Sequence, residues 1–445
     1  MGVLERPLQQ RTGRPGGNGR PQDDALAVAR AVHALVRAAT GVDLPARLWD
    51  GTELGRSDAP FRLVLHPPWS LRALLLPPTD LGAGEAYVHG DYEIEGAIVD
   101  ALVAGREAGA GLSPADSARI GRLLLRLPRP PRRPSERRAS LRGQRHSKER
   151  DREAIAFHYD LPQSFYECFL DRRLVYSCAY FATPSTSLDD AQEAKLDLIC
   201  RKLRLEPGQR LLDIGCGWGS LLAHAAEHYG VRGLGVTLSQ TQAETGRRRL
   251  AEAGLDDRVE IRLADYRDLD EHFDAVASVG MFEHVGPEHL DGYFASAYRL
   301  TRPGGLFLNH GIVRGDPKSV RTSRTRDFAG TYVFPDGGLV PAWRAARHLE
   351  VAGFELLDLE QLRRHYGLTL RQWVANLERN RDAAVAASTE TDYRIWRLYM
   401  AGSAASFETG KIGVVQVLGQ RPDRAADRRS DARPLTRDAW LRPAG

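Results

Sequence analysis

One stretch, residues 210–229, constrains the fold more than any other. The apolar run Arg210-Leu211-Leu212 leads into Asp213-Ile214-Gly215-Cys216-Gly217-Trp218-Gly219, and a helix-like segment, Ser220 to Tyr229, follows. A strand that ends in a glycine turn and feeds a helix is the ligand cradle of an open α/β sheet. Glycines let the backbone approach a ligand closely because no Cβ intervenes. Free N–H groups at the helix start attract a carboxylate or phosphate. An ordinary strand–turn–helix connection does not need three glycines alternating through five positions. An isolated Gly-x-Gly-x-Gly, however, is shared by many nucleotide sites.

The segments that follow narrow the ligand. Gly233-Leu234-Gly235-Val236-Thr237 reads as a second strand, and a helix opens after it with Ser239 as N-cap. Dinucleotide enzymes place an acidic residue at the end of this strand to hold the ribose. Thr237 stands there instead, which disfavours NAD and an oxidoreductase. Asp213, two residues before the first glycine, fits an S-adenosylmethionine cradle. Val259-Glu260-Ile261-Arg262-Leu263 alternates as a third strand. Asp265 and Tyr266 at its end suit the adenine amino group and the base face, although Asp265 also reads as a simple turn residue. Phe273 to Val279 is a fourth strand. Leu306 to His310 is a fifth, introduced by a turn at Pro303-Gly304-Gly305, and Gly413 to Leu418 is a late strand. Glu283 and His310 both fall at carboxyl ends of strands, where ligands of such sheets gather.

Several motifs together carry a resemblance. They are Phe157-His158-Tyr159-Asp160, Phe165-Tyr166, Phe169-Leu170-Asp171, Tyr176-Ser177-Cys178-Ala179-Tyr180-Phe181, the glycine cradle, Gly235-Val236-Thr237-Leu238-Ser239, Gly280-Met281-Phe282-Glu283-His284-Val285-Gly286, and His365-Tyr366 with Thr369-Leu370. Over about residues 150–420 the chain resembles the cyclopropane-fatty-acyl-phospholipid synthase family, including the mycolic acid cyclopropane synthases. The resemblance implies a class I methyltransferase fold: α/β, Rossmann-like, with a mostly parallel seven-stranded sheet flanked by helices, beside a smaller N-terminal α+β domain. It implies S-adenosylmethionine as methyl donor, held by Tyr176, Ser177, Asp213, Gly215, Gly217, Gly219, Thr237, Gln242, Asp265 and Tyr266. It also implies a bound bicarbonate as base, in a cage of Cys178, Glu283, His310, Tyr366 and the backbone around Ile312. In that cage Cys178 is a hydrogen-bonding ligand rather than a nucleophile. The segment 161–164 departs from the family pattern and is expected to shape the substrate entrance.

The chemistry accounts for such a residue set. An alkene is a poor nucleophile and a sulfonium methyl a strong electrophile. Methyl transfer to a cis double bond leaves a carbocation, and a proton must then depart for a ring to close. The site needs a base, walls that exclude water and aromatic faces. Singly, Cys178 reads as a small buried hydrophobe, His310 as a core histidine, Glu283 as a cap for a helix starting near Pro287, and Tyr366 as a packing tyrosine. Together, in four matching motifs, they read as a site. The expected substrate is the cis double bond of a phospholipid acyl chain at the membrane surface, and the product a cyclopropane ring. The alternative is a hydride shift and loss of a different proton, giving a methylene-branched chain for a partner reductase to saturate. A lipid-binding protein with a dead methyltransferase fold is disfavoured by the intact cage set.

Organisation and charge complete the reading. The 445 residues divide into a disordered tail (1–23), an N-terminal unit (24–125), a basic linker (126–152), a catalytic domain (153–420) and a second tail (421–445). In the N-terminal unit, 24–39 has helical periodicity, Phe61 to Leu65 reads as a strand, and 86–96 alternates like a strand or turn. The resemblance associates such an extension with lipid engagement and homodimer formation. The linker carries eleven basic residues against three acidic. Ser113-Pro114 starts a helix with Ile120, Leu123, Leu124 and Leu127 beside Arg119, Arg122 and Arg126, a basic amphipathic pattern. A bilayer-facing and a merely solvated linker fit these charges equally. No recognition motif for nucleic acid accompanies the arginines. Four cysteines in no disulfide or zinc pattern, no apolar stretch of membrane-spanning length and no signal-peptide core point to a cytoplasmic protein, and the phospholipid substrate that the resemblance implies places it peripherally at the inner face of the membrane. His224, His228 and His289 show no metal-ligand spacing and read as helix-face or surface residues, so no metal is expected.

Overall fold

The structure, a computed structural model, describes residues 21–133, 137–159, 161–316, 327–423 and 436–438. Most of both terminal tails, and Asp160 of the Phe-His-Tyr-Asp motif, lie outside the described residues. The N-terminal unit comprises α1 (Pro21–Thr40), β1 (Ala46–Arg47), β2 (Glu53–Leu54), β3 (Phe61–Leu65), α2 (Ser70–Leu75), α3 (Asp80–Val88), β4 (Tyr92–Gly96), α4 (Ile98–Gly111) and α5 (Pro114–Leu124). Its sheet has the order β2-β1-β3-β4. The span 86–96, read as one alternating element, is divided. The Thr79 side chain caps α3 by accepting from the Gly82 N–H, and Gly90, at φ 72°, turns the chain before β4 begins. α5 starts as its sequence predicts, with Ser113 accepting from the Asp116 N–H and Pro114 in the first turn. Its apolar side, Ile120, Leu124 and nearby Leu127, packs on Ala25, Val28 and Val32 of α1. That side is covered by protein.

The C-terminal part contains α6 (Lys148–Tyr159), α7 (Gln163–Glu167), α8 (Leu188–Lys202), β5 (Arg210–Ile214), α9 (Ser220–Tyr229), β6 (Arg232–Thr237), α10 (Gln240–Glu252), β7 (Val259–Leu263), β8 (Phe273–Val279), α11 (Leu290–Leu300) and β9 (Thr301–Arg314). There follow α12 (Phe328–Tyr332), α13 (Ala342–Val351), β10 (Glu355–Gln361), α14 (Arg363–Arg379), α15 (Arg381–Ala387), α16 (Glu390–Glu408) and β11 (Ile412–Gln420). Seven strands form one sheet in the order β10-β11-β9-β8-β5-β6-β7. β11 runs antiparallel to both its neighbours, and the other pairings are parallel. Helices flank this mostly parallel sheet, as expected for a class I methyltransferase. The strand order reverses at β5, with β6 on one side and β8 on the other, so the crevice for a ligand opens at the carboxyl end of β5.

β9 is longer than its sequence predicts. Pro303-Gly304-Gly305 lies within the strand, where Gly304 at φ 79° makes an irregularity, rather than in a turn before it. A Cβ on Gly305 would stand 2.6 Å from the Asp274 carbonyl oxygen, which explains the glycine there.

The apolar core of the N-terminal unit is continuous with that of α7, α14 and α16. Polar bonds reinforce the junction. Arg397 on α16 donates to the Tyr87 hydroxyl (2.7 Å) and the Ile94 carbonyl (3.2 Å), and Arg106 donates to the Gly402 carbonyl (3.0 Å). The basic linker is divided in its use. Arg133 pairs with Asp91 (3.1 Å), Arg137 with Asp392 (2.7 Å), Arg138 with Glu85, and Arg145 and Arg150 with Asp336 (3.5 and 2.5 Å). These arginines tie 133–150 to both parts of the protein instead of leaving it a freely solvated connection.

Candidate active site

A cavity of about 420 Å³ opens where β5, β6 and β8 end. That volume suits a small-molecule ligand. Tyr176, Ser177, Asp213, Gly215, Gly217, Thr237, Gln242, Asp265 and Tyr266 all line it. A Cβ on Gly217 would meet nothing within 4 Å, so this glycine borders open space. Gly219 does not line the cavity. It sits at the N-cap of α9 with φ 82°, and a Cβ there would lie 2.7 Å from Ile261 Cδ1. Its glycine serves packing. The segment 161–164 is likewise absent from the cavity wall. Gln163 Oε1 accepts from Thr245 (3.1 Å) and Arg248 (3.0 Å), which fastens α7 to α10.

Bonds within the protein hold the polar groups of the cavity in place. Thr237 Oγ1 donates to Gln242 Oε1 (2.8 Å) and accepts from the Ser239 N–H (3.2 Å), so Thr237 fixes the amide of Gln242. Ser239 also caps α10, as its sequence predicts. Asp265 accepts from the Arg267 N–H (2.9 Å) and guanidinium (2.6 Å). Burial works to raise its pKa, but these bonds hold the carboxyl below its ordinary value. Arg267 also pairs with Asp151 on α6 (3.0 Å). Asp213 is buried with Oδ1 unpartnered among the described residues, and burial, opposed by Lys195, pushes its pKa up to about 7.

Lys195 carries no motif signal, yet it lines the same cavity. It is fully buried, and its Nζ donates to Ser177 Oγ at 2.8 Å. Burial lowers its pKa to about 8, with Asp171, Cys178 and Asp213 opposing. On helix α8 its position looks like a solvent-side lysine; only the packing of α8 against the sheet buries it.

The second set, Cys178, Glu283, His310, Ile312 and Tyr366, stands outside the wall of the 420 Å³ cavity. Three of its members interact electrostatically: Tyr366 with both Cys178 and Glu283. Glu283 is buried in a short 3-10 turn, Phe282–His284, well before α11, so it is not a cap of that helix. Burial pushes its carboxyl up to about 7, and backbone N–H groups, including that of Ile312, oppose the shift. Its Oε2 has no partner among the described residues. His310 is 1% exposed, and Nδ1 lies 3.2 Å from the Gln416 amide nitrogen on β11. Burial first, then Lys195 and Lys202, lowers its pKa to about 3, so the ring is neutral at physiological pH. In the tautomer in which Nδ1 accepts from Gln416, the ring proton is on Nε2, which has no partner among the described residues. Burial pushes the Cys178 thiol well up. Its Sγ contacts the Ala179 and Leu362 carbonyls at 3.3 and 3.8 Å. A protonated thiol facing carbonyls is no nucleophile.

Two tyrosines escaped the sequence reading. Tyr159 and Tyr399 both couple electrostatically to Glu283. Tyr159 sits inside a matched motif but was given no role; Tyr399 lies on α16 in an otherwise ordinary helix. Around them Tyr176 stacks on Trp373 (5.2 Å) and packs near Tyr166, Phe169 and Trp396. His224 is on the buried face of α9, beside His228 (4.5 Å). Among the described residues, no group of three or more His, Cys, Asp or Glu could hold a metal ion.

The family model for mycolic acid cyclopropane synthetase matches residues 146–417. The chain belongs to this family. A Pseudomonas putida protein named "Probable fatty acid methyltransferase" is 40% identical over 92% of this chain and 99% of its own length. From Mycobacterium tuberculosis, the tuberculostearic acid methyltransferase UfaA1 is 35% identical over 89% of this chain and 92% of its own. Cyclopropane mycolic acid synthase 1 is 37% identical but matches 60% of this chain, with 96% of its own length covered. Among solved structures, mycolic acid cyclopropane synthase CmaA1 with SAH and CTAB aligns with a TM-score of 0.57 at 35% identity, over 60% of this chain and 98% of that one. The protein is an S-adenosylmethionine-dependent methyltransferase of the family. No helix among the described residues is long and apolar enough to cross a membrane.

Proposed function

We propose that the protein transfers a methyl group from S-adenosylmethionine to the cis double bond of an unsaturated phospholipid acyl chain and closes a cyclopropane ring. The observation that carries this reading is the pair of buried, unpartnered atoms Glu283 Oε2 and His310 Nε2. A buried polar atom without a partner is costly, and a bicarbonate held between them would satisfy both: its hydroxyl donates to the ionised Glu283 carboxylate, and its anionic oxygen accepts from the His310 ring N–H.

S-adenosylmethionine would supply an electrophilic methyl to the alkene, with S-adenosylhomocysteine as the leaving group that keeps the S–C electron pair. Gly215 and Gly217 leave room for the cofactor backbone to approach, while Ser177 and Gln242 present oriented polar groups to it. Tyr176, Trp373 and Trp396 exclude water and offer π faces to the acyl carbocation. Bicarbonate fits the cage and would supply the base that removes a proton from the new methyl. His310 donates Nε2–H to the anion, Tyr366 adds its hydroxyl, and Cys178 lines the cage as a neutral thiol. Glu283, whose pKa lies near neutral, orients the anion and receives the proton in turn.

A second reading has its own support. UfaA1, a tuberculostearic acid methyltransferase, matches this chain through its N-terminal unit as well. The same cation after a hydride shift, losing a different proton, gives a methylene-branched chain, which a partner reductase would saturate. The phospholipid substrate also implies peripheral association with the inner face of the membrane, and the N-terminal unit is the proposed seat of lipid engagement and of homodimer formation.

Mass spectrometry of fatty acids after incubation with S-adenosylmethionine and vesicles of cis-monounsaturated phospholipid tests the reading. A gain of one CH2 with ring fragmentation supports the synthase. An exocyclic alkene favours the branching reaction. No gain, with cofactor bound, overturns the phospholipid assignment.

A further inference from the structure

The arginines between 119 and 150 fall into two groups. Arg133, Arg137, Arg138, Arg145 and Arg150 are all ion-paired within the protein. Arg119, Arg122, Arg126, Arg129, Arg132 and Arg142 are exposed and make no side-chain hydrogen bond or ion pair to any described residue. Arg119 and Arg122 on α5, spaced i, i+3, share one stripe, and Arg126 extends it from the turn just beyond the helix. All three line a second groove of about 500 Å³, whose floor is Ala31, Ala34 and Leu35 of α1 with Leu123 of α5. At the end of α5, Leu125 is 60% exposed, while the Leu127 carbonyl beyond it accepts from Arg72 (2.7 Å) and holds this corner to α2.

We infer that this stripe and groove form a docking surface for an anionic phospholipid bilayer. The two signals that membrane attachment needs are both present: a cluster of unpaired cations and exposed apolar surface among them. The amphipathic pattern of α5 does not act by burying its main apolar side in lipid, because α1 already covers that side. Instead, the edge between the two helices is what faces out: guanidinium groups reach headgroup phosphates, and Leu125 and the groove floor meet the acyl boundary. Nucleic acid would match the charge but gains nothing from an aliphatic floor without aromatic stacking partners. The choice of occupant rests on the phospholipid reading of the substrate.

The test is cosedimentation of the full chain with phosphatidylcholine vesicles, with and without phosphatidylglycerol, and without S-adenosylmethionine, so binding is read apart from turnover. Binding should require phosphatidylglycerol and weaken with salt. Each of R119Q, R122Q and R126Q should weaken it about fivefold, and the triple variant on the order of 100-fold. R232Q, which removes an exposed arginine of β6, should change nothing, and unaltered thermal unfolding of the triple variant excludes misfolding. Leu125→Asp should also release the protein. Equal binding of wild type and triple variant, equal binding to neutral vesicles, or a stripe-dependent affinity for RNA exceeding that for vesicles overturns the inference. Vesicle binding that depends on the stripe, in a protein that leaves phospholipid chains unmodified, upholds the surface while failing the substrate reading.

Discussion

Lys195 and Asp213 are buried in the wall of one cavity, a cation and a carboxyl that each moderate the other's burial. Lys195 Nζ is hydrogen-bonded to Ser177 Oγ at 2.8 Å, and its charge opposes the burial that raises the Asp213 pKa. The motif residues Ser177 and Asp213 are thus organised by a lysine that belongs to no motif.

Replacing Lys195 by Met should weaken S-adenosylmethionine binding by about 1.5–3 kcal/mol, the range for a hydrogen bond from a charged group. Calorimetric titration measures it. Affinity equal to wild type would show that Ser177 and Asp213 need no support from Lys195.

Glu283 should govern the pH profile. Burial raises its pKa from the ordinary 4.5 to about 7. If the ionised form orients the base, log kcat/KM rises with pH up to about 7 and then levels. E283Q should lower turnover on the order of 100- to 10,000-fold, leave cofactor affinity intact and abolish that limb. The linkage sign is the opposite for stability. A carboxyl whose folded pKa is raised favours folding most below its unfolded pKa, and this is lost as pH rises through about 7. E283Q should therefore unfold at a higher temperature than wild type above pH 7 and match it in acid. An unchanged profile would remove Glu283 from the proton path.

Two glycines four-square in one motif should respond differently. Gly217→Val places a side chain in open space beside the cavity, so cofactor affinity falls, with a backbone cost of about 1–2 kcal/mol for its φ of 55°. Gly219→Val drives a side chain into Ile261 and should cost a further 1–3 kcal/mol or so of stability from overpacking. Paired cofactor titrations and thermal melts separate the two; identical behaviour would contradict the assigned roles.

Tyr87→Phe removes the hydroxyl that accepts from Arg397 at 2.7 Å between the N-terminal unit and α16. A loss of about 1–3 kcal/mol in stability is expected in denaturant unfolding, since a buried guanidinium donor is left without this partner.

Much of the catalytic sheet was legible because its signals are local. β5, β7 and β8, the caps Ser113 and Ser239, and α9 follow from alternation, side-chain capping and glycine placement within a few residues. Thr237 pointed away from NAD by its position alone, but its bond to Gln242 is a tertiary detail. The strand β10 and the extension of β9 through Gly304 were missed because pairing with distant partners, not local propensity, makes them strands.

By itself, then, the order of residues determined the cradle, the class of sheet and the set of polar side chains at its strand ends. Tertiary structure decided what those groups can do. Burial sets the protonation of Glu283, His310 and Asp213, because desolvation depends on everything packed around a charge. It also brought Lys195 and Tyr399 to the site from helices whose local sequence carries no such message, and set Tyr159, a motif residue, beside Glu283. Finally, it sorted the arginines, pairing Arg133, Arg137, Arg138, Arg145 and Arg150 with acids far away in the chain and leaving Arg119, Arg122 and Arg126 without a partner among the described residues, since a charge is neutralised by what lies near it in space.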